Sequence, residues 1–286
     1  MKQIKFFVAA LAAAGLFSCE KAEMGATEDG IMPQIRFSTF AMSQTDIMTR
    51  AGLGEAKCSK LDFAVFDDEG NLYYSEQQDS SAAGFGTVTL NEVRFGSYDV
   101  IAIAHSGSIH AVFRSDSLVD FNGKVPETFC KHISLNVDRN TKSAQKMELS
   151  RIVGQFVLVT SDLQPTDIKS FRFDITGGGT CFNPKTGLAP QSDPNVRTVS
   201  FSDVSSLGGS TGRYSFYTFL PATSADIAVT ANAYDNEGNT SFSYSFAGVP
   251  MKVNYQTVYT GKFFSLNIVP SFTVNTKWGG VTNKTF

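Results

Sequence analysis

The sequence predicts an all-β protein, built as two sandwiches in tandem. Apolar side chains recur at every second residue from Gln34 onward, Phe and Tyr are abundant at 25 and 9, and no window carries a sustained 3.6-residue stripe. Alternation with one buried and one wet face belongs to antiparallel sheets, and strands favour aromatic side chains. A chain of 286 residues, about 268 without its leader, exceeds one average domain and suits two of about 120.

The first element in the chain stands outside the fold. Lys2 and Lys5 form a positive n-region, and Phe6 to Phe17 form an uncharged apolar run. That run is too short to cross roughly 30 Å of hydrocarbon as a helix of about 20 residues, so residues 1–18 read as a signal peptide. Leu16-Phe17-Ser18-Cys19 resembles the bacterial lipobox, which makes Cys19 the lipid-bearing first residue of the mature chain. A triacylated cysteine exceeds the two hydrophobic signals needed for stable anchoring. Residues 19–33 are polar, rich in Glu and Gly and without periodicity, and read as a tether.

The strands follow. Ile35 and Phe37 begin the alternation; Leu61, Phe63 and Val65 continue it, then Tyr98, Val100, Ala102 and Ala104, then Ile133, Leu135 and Val137. Short helical turns are expected near residues 115–132. A polar stretch from Asp138 to Gln145 precedes the apolar run Phe156-Val157-Leu158-Val159, which places a boundary near Leu149-Ser150-Arg151. The expected division is an N-terminal sandwich, 34–150, and a C-terminal one, 151–286. In the second, Phe171, Phe173 and Ile175 alternate, then Tyr214 and Phe216, then Ile227, Val229, Ala231 and Ala233. Phe242, Tyr244 and Phe246 follow, and Phe272, Val274 and Trp278 end the series. Asp67-Asp68-Glu69-Gly70-Asn71 and Asp235-Asn236-Glu237-Gly238-Asn239 each sit between two alternating runs. They read as one hairpin used twice, as two similar domains would have.

Charge and motifs narrow the chemistry. The net charge of −3 becomes −5 without Lys2 and Lys5, and no basic stripe exists to hold nucleic acid. Both Asp-x-Glu-Gly-Asn turns lack the remaining ligands of a calcium loop, and a tight turn explains their glycines. His105 and His110 have no HExxH helix, His132 stands alone, and no GxSxG elbow nominates a serine nucleophile. The loop Thr176-Gly177-Gly178-Gly179-Thr180 opens no helix, the context that would make it a phosphate site. No catalytic, metal or cofactor site is therefore expected. With Cys19 lipidated, Cys58, Cys130 and Cys181 cannot all pair. Buried or free thiols are the simpler reading, and one disulfide is the other. Tyr73, Tyr74, Tyr217 and Trp278 are of the type that stacks on sugars, but core and cross-strand roles account for most such residues.

Several segments carry a family resemblance in their order. LDFAVFDDEGNLYYSEQQ and FGTVTLNEVRFGSYDVIAIAHSG follow the lipobox. LSRIVGQFVLVTSD, TFLPATSADIAVTANAYDNEGN, NYQTVYTGKFF and a final FTVNTKW complete the series. Together they resemble the Bacteroidales fimbrillin families, the FimA/Mfa-type pilins with their anchor and tip relatives. The resemblance implies two transthyretin-like β-sandwiches, a lipoprotein at the outer-membrane surface and assembly into a fimbria by strand exchange. It implies other fimbrial subunits as partners, with host or bacterial surface ligands as a further class, and no catalysis. It makes Arg50, in Met48-Thr49-Arg50-Ala51-Gly52, a candidate protease cleavage site within a polar loop, an ordinary surface arginine being the competing reading. The strands that exchange would be Gln34 to Phe40, displaced by the cut, and Phe272 to Trp278, integral or donated. Stalk, anchor and tip stay open. The alternative is a cell-surface glycan-binding lipoprotein of the same fold class.

Overall fold

The computed structural model describes residues 30–44, 48–51, 58–265 and 271–274; the expected signal peptide, Cys19 and Trp278 lie outside them. The N-terminal half holds β1 (Ile31–Gln44), β2 (Met48–Ala51), β3 (Lys60–Phe66), β4 (Leu72–Asp79), β5 (Thr87–Arg94), β6 (Gly96–His105), β7 (Val112–Ser115), β8 (Leu118–Asp120), β9 (Thr128–Val137) and β10 (Ala144–Arg151). The C-terminal half holds β11 (Gly154–Thr160), β12 (Ser170–Thr176), β13 (Cys181–Phe182), β14 (Arg197–Ser202), β15 (Arg213–Thr218), β16 (Ser224–Tyr234), β17 (Thr240–Lys252), β18 (Gln256–Gly261) and β19 (Ser271–Val274). A single 3₁₀ turn, Ser205–Leu207, is the one helical element among the described residues.

The same seven-strand key is wound twice. In each half the first strand lies between an antiparallel neighbour and a parallel one: β1 between β5 and β10, and β11 between β15 and β18. In each half the facing sheet has its strands in matching order, β4-β3-β6-β9 and β14-β12-β16-β17. Alternation buries one face of each sheet. Phe37, Phe63, Leu90, Val100 and Leu149 fill the first core. Phe156, Phe171, Phe173, Phe216 and Val229 fill the second.

A third core joins the halves. Strands β7, β8 and β13 form a small sheet in which Phe182 faces Val119, so the C-terminal half supplies a strand to the N-terminal one. Phe121, Phe182 and Phe219 stack there with centroids 4.5–6.4 Å apart, over Ile101, Ile103 and Val153. Lys185 then clasps across, its Nζ 2.7 Å from Asp99 Oδ2 and 2.5 Å from Asp116 Oδ2.

Four expectations change. β1 begins at Ile31, inside the segment 19–33 expected to be a tether. Met32 and Ile35 are both buried although their spacing is odd. Pro33 has no N–H, and opposite it Glu92 adopts φ +53°, so β1 and β5 change phase together. Residues 115–132 hold β8, parts of β7 and β9 and irregular loop, not helical turns. Arg50 has its backbone in β2, opposite Met42, rather than in a loop. The two Asp-x-Glu-Gly-Asn hairpins occupy different places in the key: second to third strand in one half, fifth to sixth in the other. Local turn chemistry, not a domain repeat in register, accounts for the likeness.

Candidate functional site: the first strand, its groove and the polar clusters

β1 is the central strand of its sheet, so its removal would open the N-terminal core. It pairs with β5 from Ile31 to Ser38 and with β10 from Arg36 to Ala41. Met32, Ile35 and Phe37 point inward at 1–2% exposure, and the Phe37 ring meets Phe63 at 5.2 Å. Thr39 is also buried, its N–H and Oγ1 both donating to the Gly86 carbonyl at 2.8 and 2.9 Å. Together these side chains seat β1 in a groove of alternating apolar sites, the pattern that an added strand reads. Beyond it, β2 folds back on Ala41–Gln44, and Ala51, which follows Arg50, pairs with Ala41. At the other end, β19 lies antiparallel on β18, Phe272 opposite Tyr259, so the expected Phe272–Trp278 strand is described as far as Val274.

The histidines form a buried structural cluster. Asp62, at 0% exposure, accepts from His105 Nε2 at 2.8 Å, His110 Nδ1 at 2.7 Å, Gln77 Nε2 at 3.0 Å and the Ala111 N–H at 3.0 Å. The Gly107 N–H donates to His105 Nδ1 at 3.0 Å, so both ring nitrogens of His105 are occupied and neither can take a proton from a serine. Gly107 is required for this approach, since a Cβ there would lie 2.8 Å from that nitrogen. His132 instead pairs with Asp99 at 2.6 Å.

The remaining motifs are absorbed by the fold. Asp67 Oδ1 accepts from the N–H groups of Asn71 and Glu69 at 2.7 and 3.1 Å, and Asp235 Oδ1 repeats this with Asn239 and Glu237 at 2.9 Å each. The turn hydrogen bonds, that to the backbone of Asn71 foremost, hold the Asp67 carboxyl below its ordinary range. In the glycine loop, a Cβ on Gly178 would collide with Thr218, and the Gly179 N–H donates to the Phe219 carbonyl at 3.0 Å. These glycines bring the loop against β15. Among the described residues Cys58, Cys130 and Cys181 form no disulfide, and burial pushes Cys58 and Cys130 up to about 12. Tyr73 packs on Tyr98 at 4.9 Å, Tyr74 donates to Glu76 at 2.6 Å, and Tyr217 flanks the joining core.

Among the described residues no group of three or more His, Cys, Asp or Glu is placed to hold a metal, and no helix is long and apolar enough to cross a membrane. A half-open cavity of about 560 Å³ lies at the junction of the halves, lined by Ser106, Ser108, Ile109, Asn122, Lys124 and Tyr217 among others. Sequence reasoning missed it, because its two loops, 106–109 and 121–126, meet only once β6 and β9 pair, His105 opposite Thr128.

The family described as fimbrillin-A associated anchor proteins Mfa1 and Mfa2 matches residues 34–284. Among solved structures, a candidate adhesin from Bacteroides thetaiotaomicron superposes with a TM-score of 0.52 at 10% identity, covering 87% of this chain and 98% of that one. A candidate adhesin from Bacteroides ovatus gives 0.50 at 13% identity, covering 86% and 94%. The fimbrial anchor protein Mfa2 from Porphyromonas gingivalis gives 0.48 at 11%, covering 88% and 100%. No curated protein matches the chain closely enough to count as a relative.

Proposed function

From the premise that this chain belongs to the family of fimbrillin-A associated anchor proteins Mfa1 and Mfa2, we propose that it is a lipid-anchored terminal subunit of a cell-surface fimbria. It is not an enzyme. The observation that carries the reading is the family match from Gln34 to Lys284, which takes in both halves of the fold. Cys19 holds the acyl chains and keeps the subunit on the outer membrane, and other fimbrial subunits are its partners. They join by strand addition, main-chain pairing at a free sheet edge.

The pairing of Arg50 in β2 supports the anchor position. A protease binds its substrate as an unpaired extended segment, and the Arg50–Ala51 bond lies in β2, paired with β1. Cleavage there requires β2 to detach first. Uncut, the chain keeps both its lipid and its first strand, and partners add at another edge. N-terminal sequencing and mass measurement of the protein from native outer membrane test this. An acylated Cys19 start with co-purifying pilin subunits is expected. A start at Ala51, with the subunit spread along the shaft, overturns the anchor position, and release unchanged by Cys19→Ala overturns the lipid.

The glycan-binding reading has one observation in its favour, the hydroxyl-lined cavity at the junction. Against it, Tyr73 is the one large aromatic exposed among the described residues, and a sugar platform needs a row of them. Retardation in a polysaccharide gel, lost in Lys124→Ala, would decide for it.

A further inference from the structure

Among the described residues, the outer edge of β17 is long and little protected. It ends its sheet, and among the described residues no strand pairs with its free side. Exposed edges are ordinarily blunted with charge, proline or bulges. The longer edge strands β4, β5, β14 and β15 carry charge at Glu76, Glu92, Arg197 and Arg213. From Thr240 to Met251, β17 carries none, and its proline comes near the end, at Pro250. There the Thr257 hydroxyl already donates to the Pro250 carbonyl at 2.7 Å. Two register shifts bracket the open part: one by Ser241, the other at Ala247 and Gly248, where Gly248 takes φ +64°. Between them Phe242 to Phe246 run in unbroken register with Ala233 to Val229.

That segment, Phe242-Ser243-Tyr244-Ser245-Phe246, reads the same in both directions. Antiparallel pairing of two copies about Tyr244 puts Phe242 opposite the partner's Phe246, Ser243 opposite the partner's Ser245, and Tyr244 opposite itself. Every cross-strand pair is then like with like: aromatic on the inner face, hydroxyl on the outer. Both kinds of pair stabilise sheets, and a two-fold interface needs such self-complementarity. The inner face has surface left to bury. Phe242 and Tyr244 are only partly buried, and an apolar crevice lined by Leu158, Tyr244, Phe246, Tyr259 and Phe263 lies beside them.

We propose that β17 is a homotypic docking edge, through which a second copy of this chain pairs antiparallel about Tyr244 and joins two four-stranded sheets into one of eight. The inference does not rest on the fimbrial reading, and its failure leaves that reading standing. A five-residue pairing is a small interface, so dimer forms in proportion to concentration.

Sedimentation of the full chain in detergent tests the proposal. Monomer at low and dimer at high concentration is expected. Ser243→Lys combined with Ser245→Lys, which sets lysine against lysine across the two-fold, is expected to abolish the dimer with the melting curve unchanged. Register is read by disulfide trapping. A mixture of Ser243→Cys and Ser245→Cys chains should cross-link several-fold more than either alone. Wild type that stays monomeric throughout, a dimer that survives the lysine pair, or equal cross-linking in all three samples would overturn the inference.

Discussion

Asp99 carries more interactions than its place on β6 suggests. Burial pushes its carboxyl upward, but hydrogen bonds from Lys185, His132 and Ser134 outweigh that and lower it from the ordinary 3.8 to about 2. A carboxyl lowered in the folded state contributes stability that is complete above its unfolded value, near 4, and is lost as pH falls through about 2. Asp99→Asn is expected to cost about 1 kcal/mol at neutral pH, allowing for solvent screening at this partly open site. It should also flatten the loss of stability between about pH 4 and 2, as urea midpoints measured across that range would show. Asp62 illustrates what the sequence conceals at this scale. His105 and His110 look unpartnered in the chain because their acceptor lies more than forty residues earlier, and the pairing of β3 with β6 brings it back. Type and spacing exposed the histidines; only register exposes the aspartate.

β1 sets the strongest expectation for a single element. Phe37→Ala removes a ring at 1% exposure between two sheets, and should cost about 3–5 kcal/mol in chemical unfolding. If the strand is replaceable, a synthetic peptide of residues 31–44 added to that variant should recover part of the loss, whereas a scrambled peptide should not. The alternating strands were legible wherever one buried face ran for five residues or more, as in β3, β6, β12 and β16. The elements misread are those too short, or too irregular, to express a period. β8 has three residues and gains its place from β13, about sixty residues on. The start of β1 was hidden by Pro33, which ordinarily demotes a strand, and by the compensating turn of Glu92. The groove that holds β1 has no signature along the chain, because its walls exist only where β5 and β10 close on β1.

At the scale of the whole molecule, we propose that the halves at 34–150 and 151–286 are two domains that unfold as one. Each has its own core, but Phe121, Phe182 and Phe219 form a third that neither completes alone. Calorimetry is expected to give a single transition for the wild type. Phe182→Ala, which opens a cavity in the shared core alone, should split it in two or separate the midpoints by several degrees. Two well-separated transitions in the wild type would refute the coupling.

The placing of each half's first strand beside its last has a kinetic consequence. Arg36 meets Ala144 and Gln155 meets Gln256, partners about a hundred residues apart in the chain. Neither sandwich can close until its final strand has been synthesised, and pairings of such long reach form slowly. On the expectation that residues 1–18 are an export signal, such slow closure would keep the chain loose enough to be threaded across a membrane and would leave its stability to be acquired on the far side.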